Sequence, residues 1–269
     1  MATIETQALV LRVVDFGESD RIAHLLTPVT SRLTVIAKGA KRSKRRFPGT
    51  LDLFHLLDVR IERRRPTSMA RLEQARLLDA WTPLRRHPAR FALACYLAEL
   101  VDRLATEGTG GREARDLFAA VLGALRAAAS REPTPRMRAL LELRVLAAIG
   151  LEPELRRCVR CGRDADASGA AAGESAKVAF HVAEGGPLCV GCTAVGDPCM
   201  TLHRGTLRAL EQGLRLPFDR IDRLALGAEP TAEARALLAR FLRFHVGFEL
   251  RSERFLDSLL ASGTVRALA

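Results

Sequence analysis

At 269 residues the chain is long enough for two domains, and 48% hydrophobic content can bury a sizeable core. Only 5% of residues are aromatic, so the apolar mass is Leu, Ala and Val, a composition of helices rather than of a large sandwich. A net charge of +11 and a pI near 10.3 point to a polyanionic partner, and no run of ~18 apolar residues exists to span a bilayer.

The charge is uneven, because residues 1–80 hold 15 Lys/Arg against 9 Asp/Glu. The same third of the chain reads as β. "IETQALVLRVV" is a first strand, with Leu9, Leu11 and Val13 expected on one face and Val10 and Val14 on the other. Its early Glu5 and lack of a basic segment or cleavage site set it apart from a signal peptide. After a turn at 15–20 come strands at "RIAHLLT" and "LTVIAK" (33–38), then "LDLFHLLDVRIE" (51–62), and then residues 69–80, whose period is ambiguous between strand and helix. Five short strands in this length predict a small closed barrel of the OB type.

Between the third and fourth strands lies "AKGAKRSKRRF", in which Lys38, Lys41, Arg42, Lys44, Arg45 and Arg46 follow one another with no acid among them. Such a run repels itself unless something negative lies against it. Lysine is a mobile point charge suited to phosphate, so nucleic-acid backbone is the expected partner. The alternatives are a solvated loop, with the nucleic acid on the barrel face near Arg12, Arg60 or Arg63–Arg65, or a localisation signal. The rings available for stacking are Phe16, Phe47 and Phe54.

From Trp81 onward the period is helical, with helices expected at 89–106, 112–130, 135–150, 203–214 and 231–261. The third has Thr134 to cap it, Pro135 at its first position and Gly150 just past its end. Residues 151–199 lose periodicity, and 166–176 are small and polar, as in a flexible loop. The fold class is therefore α+β: an OB barrel over 1–80, then a mostly helical domain over 81–269 with an insert at 151–199.

That insert contains "CVRCG" and "CVGC", which make Cys158, Cys161, Cys189 and Cys192 a C-x2-C pair repeated after 27 residues. Four thiolates at this spacing suit one structural, tetrahedral Zn²⁺. The alternative is two redox pairs, but no βαβ pattern surrounds either. Cys95 reads as core and Cys199 as a spare thiol, while His181 and His203 flank a set of ligands that is already complete. A nucleobase deaminase would need H-x-E and P-C-x-x-C; "HVAE" and "PLCVGC" supply neither, and four thiolates leave no position for water. No Gly-Lys dipeptide exists to build a Walker A loop. The chain is therefore expected not to be an enzyme. With no signal peptide, a reducing cytoplasm is the expected compartment, and there six cysteines argue against a disulfide framework.

"FGESDRIAHLLTP", "IAKGAKRSKRRF", "ELRVLAAIGLEPELRRCVRCG", "FHVAEGGPLCVGC" and "RSERFLDSLL", in this order and spacing, together resemble the bacterial recombination mediator family RecO. The resemblance implies binding of single- and double-stranded DNA, annealing of complementary strands, and work at the nucleoid with RecR and often RecF. It also implies contact with the acidic tail of single-stranded DNA-binding protein (SSB), expected here at Arg240, Arg243, Arg251 and Arg254, and loading of RecA onto coated single strands. Two positions depart from the family pattern: Ser31 stands at a usual turn glycine, and Leu53 stands at a usual proline. The competing function is a zinc-containing transcription or RNA-binding factor on the same barrel.

Overall fold

The computed structural model describes residues 2–43, 45–63, 68–165 and 176–262. Lys44, Arg64, Arg65 and nearly all of the small, polar segment at 166–176 lie outside these. The chain forms two compact units, one of Met1–Glu132 with Leu250–Ala269 and one of Pro133–Glu249.

In the first unit β1 (Ala2–Phe16), β2 (Asp20–Thr27), β3 (Ser31–Ala37), β4 (Leu56–Arg63) and β5 (Ala70–Asp79) close a barrel in the order β1-β2-β3-β5-β4. Residues 69–80, ambiguous by period, are strand. Alternation gives the barrel its filling: Leu25, Leu33, Val35, Leu57, Val59, Ile61 and Leu72 point inward, and Phe47 and Leu51 of the β3–β4 connection join them.

The face assignment of β1 needs correction. The register with β2 shifts between Val10 and Arg12, a bulge that inserts one residue. Val10 and Val13 consequently share the barrel core, instead of lying on opposite faces. Beyond the bulge Arg12, Val14 and Phe16 are exposed. Leu9 and Leu11 are buried on the side where α2 packs against β1.

After α1 (Thr82–Arg85), the unit continues with α2 (Pro88–Leu104) and α3 (Gly111–Ser130). Asp102 of α2 meets His24 of β2 at 2.6 Å, and Glu107 binds Arg32 at 3.2 Å, so this side of the barrel is fixed by charge as well as by packing. Residues 231–261 form two helices, not the single one expected: α6 (Ala228–Val246) stops at Gly247, whose φ of 73° ends the helical path, and α7 (Arg251–Ser262) follows. α7 belongs to the first unit and packs on α2, where Glu99 accepts hydrogen bonds from the Arg251 and Ser252 amides at 2.9 Å and so caps it.

The second unit begins with α4 (Pro135–Ile149). Thr134 Oγ1 accepts from the Met137 amide at 3.1 Å and Gly150 takes φ 91°, so its predicted caps are present. Residues 151–199, aperiodic in sequence, contain two of the three strands of a small sheet. β6 (Lys177–His181) lies between β7 (Gly186–Leu188) and β8 (Cys199–His203). α5 (Arg204–Arg215) and α6 then pack against α4.

Candidate metal centre and nucleic-acid interface

The first cysteine pair sits in a tight turn after α4. The Gly162 amide donates to the Cys158 carbonyl at 2.8 Å, and Gly162 takes φ 72°, which a side chain would resist. The second pair follows β7, where a single 3-10 turn (Val190–Cys192) brings the Cys192 amide to the Cys189 carbonyl at 2.9 Å. The two turns are joined because the Val159 amide donates to the Pro187 carbonyl at 3.1 Å. Gly186 makes this approach possible: a Cβ there would fall 2.3 Å from Val159 Cγ1.

As a result the Sγ atoms of Cys158, Cys161, Cys189 and Cys192 all lie within 4.8 Å of one another. The Cys161–Cys189 separation is 3.7 Å. A tetrahedron with metal–sulfur bonds of ~2.3 Å has edges of about 3.8 Å, so the cage has the size of a four-thiolate site. Cys158 and Cys189 are buried with Leu188 in a small apolar cluster, which keeps the floor of the site dry.

The thiols ionise unequally. A hydrogen bond from Arg163 brings Cys161 down to about 6, whereas hydrogen bonding to Cys189 and Cys161 pushes Cys192 up to about 12. Crowded thiols share negative charge poorly unless a cation sits among them. The four residues can therefore hold a metal ion.

Arg160, between the first two cysteines, was not singled out in the sequence. Its guanidinium reaches the second turn, donating to the Cys192 carbonyl at 2.7 Å and to both Asp197 oxygens at 2.9 and 3.1 Å. It also donates to Glu184 at 2.6 and 3.0 Å. The two flanking histidines are occupied elsewhere. His181 Nδ1 accepts from the Glu184 amide, and His203 Nδ1 meets Glu233 at 2.7 Å. Glu233 also accepts from the His203 amide and the Thr206 hydroxyl and so holds the start of α5, while Glu229 lies 4.0 Å from His203 Nδ1. Cys95 is half-buried, and burial pushes its thiol up to about 11. Cys199 packs beside the thiol cluster but is not one of the four.

The basic run occupies the β3–β4 connection, as expected, but it is not without acids. Lys38 Nζ donates to Asp20 at 2.7 Å, and Lys41 Nζ lies 3.3 Å from Asp15 and donates to the Gly17 carbonyl at 3.0 Å. The lysine pairing and the Gly39 amide, which donates at 2.8 Å, hold the Asp20 carboxyl down to about 2. Hairpin register carries the missed signal: Arg21 pairs with Ala37, which sets Asp20 beside Lys38. Arg46 donates to the Lys38 carbonyl at 2.6 Å and approaches Glu73 at 3.9 Å. The side chains of Arg42 and Arg45 are exposed, with no partner among the described residues. The run thus divides into an anchored part and a free part. Of the alternative face, Arg12 is exposed, and Arg60 is contacted by Glu5 and Glu62.

Two family models cover nearly the whole chain. "Recombination protein O N terminal" matches residues 1–81 and "Recombination protein O C terminal" matches residues 85–254. A protein named DNA repair protein RecO from Anaeromyxobacter dehalogenans (strain 2CP-C) is 38% identical over 264 residues, 96% of this chain and 98% of its own length. Proteins of the same name from Myxococcus xanthus (strain DK1622) and Symbiobacterium thermophilum are 34% and 31% identical, over 95% and 96% of this chain and 98% of each of theirs.

Proposed function

The chain belongs to the recombination protein O family of DNA repair proteins, and from that premise we propose that it is a non-enzymatic mediator that binds single- and double-stranded DNA and anneals complementary strands. Together with RecR, and with RecF where present, it helps load RecA onto SSB-coated single strands. The observation that carries this reading is the cationic β3–β4 connection, which is tied down at Lys38, Lys41 and Arg46 and leaves Arg42 and Arg45 free to meet phosphate. Annealing on such a surface needs no nucleotide hydrolysis. Cations that lie between two backbones lower their repulsion, and base pairing supplies the free energy. Phosphate contacts carry no base information, so annealing should be indifferent to sequence.

One structural Zn²⁺ at Cys158, Cys161, Cys189 and Cys192 completes this reading; when bound it cross-links the two cysteine turns. Elemental analysis should find about one zinc per chain. Replacing Cys158 and Cys161 by Ser should abolish it and raise amide exchange in Pro133–Glu249 alone.

The SSB tail is the expected peptide partner. The four arginines proposed for it do not share a helix, since Arg240 and Arg243 lie on α6 and Arg251 and Arg254 on α7. The deciding experiment combines strand annealing with capture of RecR and of an SSB tail peptide. Annealing by wild type, lost when Arg42 and Arg45 become Ala, supports the reading. A strong preference for one duplex sequence, with no annealing, would overturn it.

A further inference from the structure

Of the three phenylalanines in the barrel region, two are unavailable to a ligand: Phe47 is 4% exposed and Phe54 is fully buried. Phe16 is 50% exposed, beside Val14 at 39%. The β1 bulge puts both on the outer face, and Val14 pairs with Ile22, which pairs with Ile36, so a short apolar stripe leads up to the ring. Among the described residues nothing explains a large ring left open at this place, because the barrel core is already closed by Phe47 and Leu51.

The basic connection lies alongside. Phe16 pairs with Asp20, and Asp20 holds Lys38, so ring, carboxylate and cation form one row across three strands. At ~4.8 Å between strands, Lys38 leaves the sheet about 10 Å from Phe16. The Lys41 amide donates to the Ser19 carbonyl at 2.9 Å and its Nζ to the Gly17 carbonyl, which fixes the start of the cationic loop to the turn that follows the ring. An aromatic face fixed to the start of a loop whose Arg42 and Arg45 are free for phosphate suits an unpaired nucleotide, whose base stacks while its backbone lies along those charges. A paired base presents no free face to it.

We infer that Phe16, with Val14 beneath it, is a stacking platform for an unpaired base, which makes the barrel prefer single-stranded over double-stranded DNA. This deepens the DNA-binding reading above and rests on it. The test uses the full-length protein and three probes of equal length: a single-stranded oligonucleotide, the same backbone with abasic sites, and a duplex. Wild type should bind the first about tenfold more tightly than the second. Phe16→Ala should erase that gap and keep its dependence on salt, and Phe16→Trp should keep the gap. The introduced indole should also be quenched by the base-bearing strand, against a constant signal from buried Trp81. Equal wild-type affinity for base-bearing and abasic strands, or a gap that survives Phe16→Ala, would overturn the platform and leave phosphate binding intact. Loss of all salt-dependent binding would instead overturn the parent reading.

Discussion

Changing Asp15 and Asp20 together to Asn should steepen the salt dependence of single-strand binding. Six cations at about −0.7 per phosphate would give a log–log slope of roughly −4.2. Lys38 and Lys41 are already matched by Asp20 and Asp15, and binding phosphate there releases little more than it disturbs. Arg46 is likewise held by the Lys38 carbonyl and Glu73, so three cations remain, Arg42, Lys44 and Arg45, and the wild-type slope should be about −2.1. Asparagine keeps an oxygen for the Gly39 amide, which donates to Asp20 at 2.8 Å, so the loop should hold its path while its two lysines, Lys38 and Lys41, are freed. The slope should then fall by about 1.4, with tighter binding at low salt. The Asp20 carboxyl sits at about 2, so these pairs stay ionised and the wild-type slope should be the same at pH 5.5 and 7.5. Anisotropy of a labelled oligonucleotide across salt concentrations measures this. An unchanged or shallower slope in the double variant would show that the two carboxylates do not compete with phosphate.

Three further outcomes are expected. Arg160→Ala should let zinc pass to a chromophoric chelator about tenfold faster, and Arg160→Lys should not restore retention, since one ammonium cannot reach Cys192, Asp197 and Glu184 together. Ser31 holds φ 53°, so Ser31→Gly should stabilise the protein by up to about 1 kcal/mol, seen as a melting midpoint about 2–4 °C higher; a lower midpoint would refute strain at this turn. Burial would raise the Glu99 carboxyl, but its bonds to Ser252 and Arg251 outweigh this and hold it below 4.5. Its stabilisation of α7 is therefore full above pH 4.5 and lost as pH falls through the lowered value. Glu99→Ala should cost about 1 kcal/mol at neutral pH and speed amide exchange in α7; unaltered exchange would remove the cap from the account.

The features legible in sequence are those governed by local chemistry. Turn residues and alternation located five strands, Thr134, Pro135 and Gly150 framed α4, and the paired C-x2-C spacing selected four thiols that the fold brings together. The misreadings concern relations between distant residues. One inserted residue in β1 moved Val13 into the core and turned Phe16 outward, and alternation cannot foresee a bulge. The basic run looked unopposed because Asp15 and Asp20 precede it by a full hairpin. The helix expected over 231–261 broke because Gly247 acts as a C-cap although hydrophobic residues continue on both sides. Arg160 was hidden by its own exposure, since its value lies in acceptors 24 to 37 residues away.

The return of the chain to its first unit has a consequence for synthesis. α2 is made early, but α7, which covers it and is capped by Glu99, is made after the whole of Pro133–Glu249. At about 5–20 residues per second, a ribosome takes on the order of 6–23 s to cross that interval. During this time the barrel has its strands but one face of α2 lacks its cover. A nascent chain stalled before Leu250, or a product cut there, would keep an apolar surface that the finished protein hides, a mark by which chaperones and proteases could tell incomplete copies from complete ones.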